Sequence, residues 1–241
     1  VHKSQFHDTL QRIAQKASAA MQHSSRGRVI AFQACKGGSG ATFLAANLAS
    51  VLAHDHGKRV GLIDLNLQFG DAVLFVFDHL PRATIADVSR QIERLDASFL
   101  VASMVQVAPN ISVLAAPEDP DQPATVQAAH IDQIIKVARE AFDFVVLDLG
   151  RNIDSATIHA LDHSDLVFPV LQETLPFLRD TKRMLKVYAS LGYGEEKLKL
   201  VVNRFEKGGD ITIDDVEKAL GVHVARIIPN SYKAVAASVN Q

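Results

Sequence analysis

The chain has 241 residues, 48% of them apolar, and a formal net charge of −2 from 25 basic and 27 acidic side chains. This supports the core of one α/β domain, while the near balance of charge advertises no nucleic-acid or anionic-membrane surface, so neither DNA nor direct membrane contact is expected. The single cysteine, Cys35, excludes an internal disulfide and a cluster of several cysteine ligands, and with no signal peptide and no run of about 18 apolar residues the pattern fits a cytoplasmic protein. In chain order, Phe6, Leu10, Ile13, Ala17 and Met21 recur every three or four residues, which predicts an amphipathic helix over 4–22; His23-Ser24-Ser25-Arg26-Gly27 reads as a linker. Residues 1–27 thus form a helix and linker ahead of a domain over 28–241. Strands are expected at 28–35, 59–64, 111–115, 143–148, 166–171, 198–203 and 224–228, separated by helical stretches. Continuous apolar runs such as Phe144-Val145-Val146-Leu147 belong to strands covered on both faces, so the fold class is α/β, a doubly wound, mostly parallel sheet with helices on both faces. Pro109-Asn110, between Met104–Val107 and Ile111–Leu114, predicts a hairpin at the sheet edge.

After the first strand comes Lys36-Gly37-Gly38-Ser39-Gly40-Ala41-Thr42-Phe43, with a helix expected at about 42–55. A glycine-rich turn between strand and helix binds phosphate: its glycines let successive backbone N–H groups turn inward, and the helix N-terminus adds partial positive charge. The general pattern GxxxxGK[ST] requires lysine at position 41, where this chain has Ala41. Thr42 supplies the hydroxyl that such a loop uses to hold Mg²⁺. Ligands of open α/β sheets bind beyond the carboxyl ends of strands, and Asp64, Asp148 and Asn203 each end an apolar run. A carboxylate buried there is stabilised by a metal bound to phosphate, so Thr42, Asp64 and Asp148 are the expected metal ligands, with Mg²⁺ and a nucleotide phosphate as what they hold.

Lys-Gly-Gly-x-Gly-x-Thr resembles the deviant Walker A signature of the ParA/MinD family of P-loop ATPases, and the likeness extends over about 28–241. The resemblance implies that Lys36 reaches across a homodimer interface to the partner's nucleotide. It also implies that Asp64 is the first acid of a D-x-D element, Asp148 the Walker B aspartate and Asn203-Arg204 the pair that reads adenine. Pro229 falls where the family packs a loop over the base. The loop sequence, the stretch Asp64-Leu65-Asn66-Leu67-Gln68-Phe69-Gly70-Asp71 and the ending from Ile228-Pro229-Asn230 through Ala234 to Gln241 are similar to the TadZ/CpaE branch, which serves Tad-type pilus assembly. That likeness implies a receiver-like domain ahead of residue 1. It also implies a pilus secretion machinery or polar landmark as partner, and recruitment to a cell pole at the inner membrane through partners alone.

Two departures bear on chemistry. Asn66 stands where active relatives carry a second acid, and an amide cannot take a proton from an attacking water. Ala41 removes a cation that would neutralise the transferring phosphoryl group. The expectation is an ATP-binding dimer with weak or no hydrolysis, whose only catalytic candidates are Lys36, Asp64 and Asn66; a hydrolysis-cycling positioning ATPase and a nucleotide-free scaffold are the alternatives. Arg151 reads as a surface residue capping a turn, and Arg179, Lys182, Arg183 and Lys186 as a solvated helix face. His159 and His163 share a face if 154–163 is helical, but no third ligand is fixed by any recognised pattern.

Overall fold

The computed structural model describes residues 2–19, 26–70, 72, 81, 83–119 and 121–230. Met21, the linker residues His23 to Ser25, Asp71 and the segment 231–241 lie outside the described residues. The strands are β1 (Arg28–Ala34), β2 (Val60–Asp64), β3 (Val105–Ala108), β4 (Ile111–Leu114), β5 (Phe144–Leu149), β6 (Leu166–Leu171), β7 (Leu200–Phe205) and β8 (Val224–Pro229). They form one sheet in the order β3-β4-β2-β5-β1-β6-β7-β8. Every neighbouring pair is parallel except β3 with β4, the antiparallel edge hairpin that Pro109-Asn110 predicts. Strand β7 is displaced from its predicted span: Leu198 makes only an isolated bridge to Val167, and the strand runs on to Phe205.

The helices are α1 (His2–Ala19), α2 (Ala41–His54), α3 (Ile85–Arg90), α4 (Ala97–Ser103), α5 (Ala128–Ala141), α6 (Ser155–His163), α7 (Leu175–Ser190) and α8 (Ile213–Leu220). The apolar pattern did not separate α4 from the hairpin; Asp96 starts it, its carboxylate accepting from Phe99 N–H. Side chains alternate across a strand, and the sheet sorts them into two cores. Ile30, Phe32, Leu62, Val146 and Val201 pack with α1 and α2 on one face. Val29, Ala31, Ile63, Leu147 and Val202 pack on the other with residues of α3 to α8. β2 and β5 are buried along their whole length, as strands covered on both faces must be.

Of the predicted amphipathic stripe, Leu10 and Ile13 are buried together with Ala14, and Phe6 sets its ring 5.5 Å from that of Phe43 in α2. Gln11 Nε2 donates to Asp55 just past α2 at 3.0 Å. The N-terminal helix is therefore part of the packing of the domain, lying against α2 and β8. Leu10 is 1% exposed, so Leu10→Ala leaves a cavity under α1 and is expected to lower stability by about 2–5 kcal/mol, measured by urea unfolding.

Candidate functional site

Strand β1 ends at Ala34 and α2 begins at Ala41, so the glycine-rich segment forms the turn between them. Gly38 (φ 80°) and Gly40 (φ 88°) adopt the left-handed conformation that favours glycine. Nothing lies within 4 Å of where a Cβ would stand at Gly37 or Gly38, so the crest of the turn faces open space. At Gly40 a Cβ would collide with Asn203 Nδ2. The closeness has a function in the fold: Asn203 Nδ2 donates to Ser39 C=O at 2.8 Å, holding the turn against the end of β7. Gln172, just after β6, donates to Gly38 C=O at 2.7 Å.

Strand parity gathers the remaining predicted residues. Asp64 and Asp148 are register partners at the ends of β2 and β5, each 1% exposed. Both alternate with residues of the far core, so they point to the α2 face, and Asn203 does the same from β7. Thr42, in the first turn of α2, is on that face too. Asp64 also organises the loop after β2: Oδ1 accepts from Asn66 N–H at 3.0 Å and Oδ2 from Ala72 N–H at 2.9 Å. The Asn66 amide turns back on its own loop, donating to Phe69 C=O at 2.7 Å.

Other predicted residues are engaged in ways the sequence did not show. Lys36 Nζ lies 2.9 Å from Asp180 Oδ2 on α7 of the same chain. That contact holds the Asp180 carboxyl below its usual range, with Lys36 as the largest cause. Asn203 Oδ1 accepts from Arg204 N–H at 2.9 Å, which together with the bond to Ser39 uses one of its amide hydrogens and one of its oxygen lone pairs. Arg204 is exposed with φ 56°. Pro229 ends β8 in register with Phe205, and the Phe43 ring is taken up by Phe6. Arg151 is exposed on the loop after β5.

The donor set fits a hard cation held mainly by phosphate. Among the described residues no group of three His, Cys, Asp or Glu side chains is arranged to hold a metal. Mg²⁺ does not need one: it binds through one or two carboxylates, a hydroxyl and phosphate oxygens, the chemistry that Asp64, Asp148 and Thr42 offer beside a turn open to an anion. His159 and His163 do share a face of α6, but both meet Asp132 of α5 at 2.9 Å, forming a clasp between the two helices.

Residues that sequence reasoning missed line the opposite face of β1. Gln33 and Tyr188 are fully buried, and the Tyr188 hydroxyl donates to Gln33 Oε1 at 2.7 Å. Glu173 accepts from Glu206 N–H at 2.7 Å, joining the β6 and β7 ends; burial, with the nearby Glu206 charge, raises its carboxyl. Cys35 is 5% exposed, and burial pushes its thiol up to about 12, with the Asp180 charge acting in the same direction.

A profile of the AAA domain family matches residues 27–189. The septum site-determining protein MinD of Thermotoga maritima is 28% identical over 222 residues, covering 88% of this chain and 79% of that protein. Among solved structures, a ParA family ATPase from Chlorobium tepidum superposes with a TM-score of 0.84 at 26% identity, covering 88% of this chain and 89% of its own. MinD from Pyrococcus horikoshii, solved with Mg-ADP, superposes with a TM-score of 0.73 at 19% identity, covering 89% and 86%.

The cysteine yields a prediction independent of ligand. An unfolded thiol ionises near 9.0 and the folded one near 12, so between those values the native state holds the extra proton and stability falls as pH rises. At pH 9 the native chain is expected to resist a disulfide-forming thiol reagent, and to react at once in denaturant, followed by absorbance.

Proposed function

The chain belongs to the AAA domain family and to the ParA/MinD superfamily of P-loop ATPases, and from that premise we propose that it is an ATP-binding, dimerising positioning protein of the TadZ/CpaE type with weak or no hydrolysis. The observation that carries this reading is the pairing of an intact cradle with an altered chemistry. Thr42, Asp64 and Asp148 share one face of the sheet beside the turn 36–43, while Ala41 and Asn66 stand in place of a cation and a carboxylate. Mg-ATP binding follows from the cradle. Slow turnover follows from the replacements, since phosphoryl transfer is catalysed almost wholly by placed charge. In this reading Asn203, Arg204 and Pro229 receive the base and residues 28–241 form the nucleotide-binding domain. The partner of the dimer surface is a pilus secretion machinery or polar landmark, which carries the protein to a cell pole.

Lys36 gives the dimer its switch. In a single chain it rests on Asp180, in an ion pair whose two side chains are 39% and 25% exposed. Such pairs contribute little to stability, so a partner's triphosphate competes for the ammonium with ease. Asp180 then holds Lys36 in the monomer and releases it in the dimer.

Calorimetric titration with Mg-ATP is expected to show saturable binding; no heat at millimolar ligand would leave only a scaffold. Phosphate release is expected to be slow in the natural chain and to rise about 10²-fold or more in the Ala41→Lys/Asn66→Asp variant. Brisk release by the natural chain would instead mark a hydrolysis-cycling ATPase. Light scattering should show an ATP-dependent dimer that Lys36→Ala abolishes and Asp180→Asn strengthens.

A further inference from the structure

Helix α7 is fastened to β1 through the sheet face opposite α2. Gln33 and Cys35 point to that face by strand parity, and the residues of α7 that meet them and Lys36 run in the reverse order. Asp180 holds Lys36, Thr181 lies beside Cys35, and Tyr188 bonds Gln33 two turns further on. The Gln33 side chain then bridges onward. Its Nε2 donates to Gly150 C=O at 3.1 Å and to Asn152 C=O at 3.2 Å, the loop immediately after Asp148. One buried amide thus spends both its hydrogens on that loop and takes the Tyr188 hydroxyl on its oxygen.

We infer that Gln33 and Tyr188 are positioning residues: a relay of three hydrogen bonds through which the placement of α7 sets the loop 150–152 behind Asp148, so that nucleotide occupancy is transmitted to the outer surface of the helix. The physical ground is the cost of leaving a buried polar atom without its partner. Gln33 is 0% exposed, as is Tyr188, so their polar atoms have no solvent to replace a lost partner, whereas Gly150 is half-buried and Asn152 exposed, so the loop carbonyls do. If α7 shifts, Gln33 must follow the hydroxyl or lose it, and if the loop shifts, Gln33 must follow the carbonyls. The relay therefore behaves as a rigid link between two elements 117 and 155 residues from β1 in sequence. The outer face of α7 exposes Arg179, Lys182, Arg183 and Lys186, so it offers an acidic protein partner a basic surface whose position reports the state of the loop.

The functional half of this inference rests on residues 36–43 being a nucleotide loop; the relay itself does not. The test is hydrogen exchange on the full chain, first without ligand and then with Mg-ATP, for Tyr188→Phe, Gln33→Leu and the double variant. Phenylalanine keeps the ring that packs 5.9 Å from Tyr193 and removes only the donor. Without ligand, amides 150–154 are expected to exchange about five- to a hundredfold faster in each single variant. The double variant replaces both partners by apolar groups, so it should regain much of the melting temperature lost by Gln33→Leu while its loop remains fast. With Mg-ATP, both the loop and α7 should change protection in the natural chain, and the loop alone in Tyr188→Phe. Ligand-free exchange of 150–154 within twofold of the natural chain in Tyr188→Phe, or strictly additive melting shifts, would overturn the relay. Absence of any Mg-ATP response in the natural chain would instead count against the nucleotide reading, with the ligand-free measurements still deciding the relay.

Discussion

Strand β1 is hydrogen-bonded on both edges, to β5 and β6, and covered on both faces. A strand so enclosed has no freedom to slip, because a shift of one residue would exchange its two faces. Its side chains must divide between α2 and α7, and any polar atom among them must find a partner inside the protein. The turn that leaves its carboxyl end is therefore delivered to one place, with Gly38 and Gly40 accommodating the reversal and Asn203 and Gln172 holding two of its carbonyls. The two faces then carry different parts of the site: carboxylates and Thr42 on the side of α2, and the links to α7 on the other.

The parts legible in the sequence are those whose cause is local. The runs that became β1, β2 and β5 were visible because burial on both faces leaves a continuous apolar record. The turn was visible because only glycine tolerates its backbone and because strand and helix flank it. Asp64, Asp148 and Asn203 could be grouped because each ends such a run, and parity placed them on one face. Gln33 was not legible. It interrupts the apolar run Val29 to Ala34 as a single amide, and the groups that satisfy it lie on Gly150, Asn152 and Tyr188. Asp180 was hidden in the same way: in sequence it is one acid among Arg179, Lys182 and Arg183, which reads as a solvated face, whereas in space it is the partner of Lys36. The partner of His159 and His163 was hidden as well: it is Asp132 of α5, which no spacing rule connects to them.

The distribution of charge around the turn bears on the proposed ligand. Ala41 leaves the head of α2 without the usual cation, and Lys36 is committed to Asp180 in the single chain. Asp64 and Asp148 meanwhile stand side by side at 1% exposure. The backbone N–H groups of Asn66 and Ala72 hold the Asp64 carboxylate. In the proposed function a divalent cation shared with phosphate oxygens would lie against this pair, and the phosphates would attract the lysine of a second chain. On the proposed reading, binding and assembly both draw on the same phosphates, so a chain without the groups for cleavage would keep those for signalling. The two sets of residues would then part company for a physical reason: transition-state charge would need a lysine at position 41, whereas ground-state binding of Mg²⁺ and phosphate would depend on backbone N–H groups, Thr42 and the paired carboxylates, none of which the replacements at 41 and 66 remove.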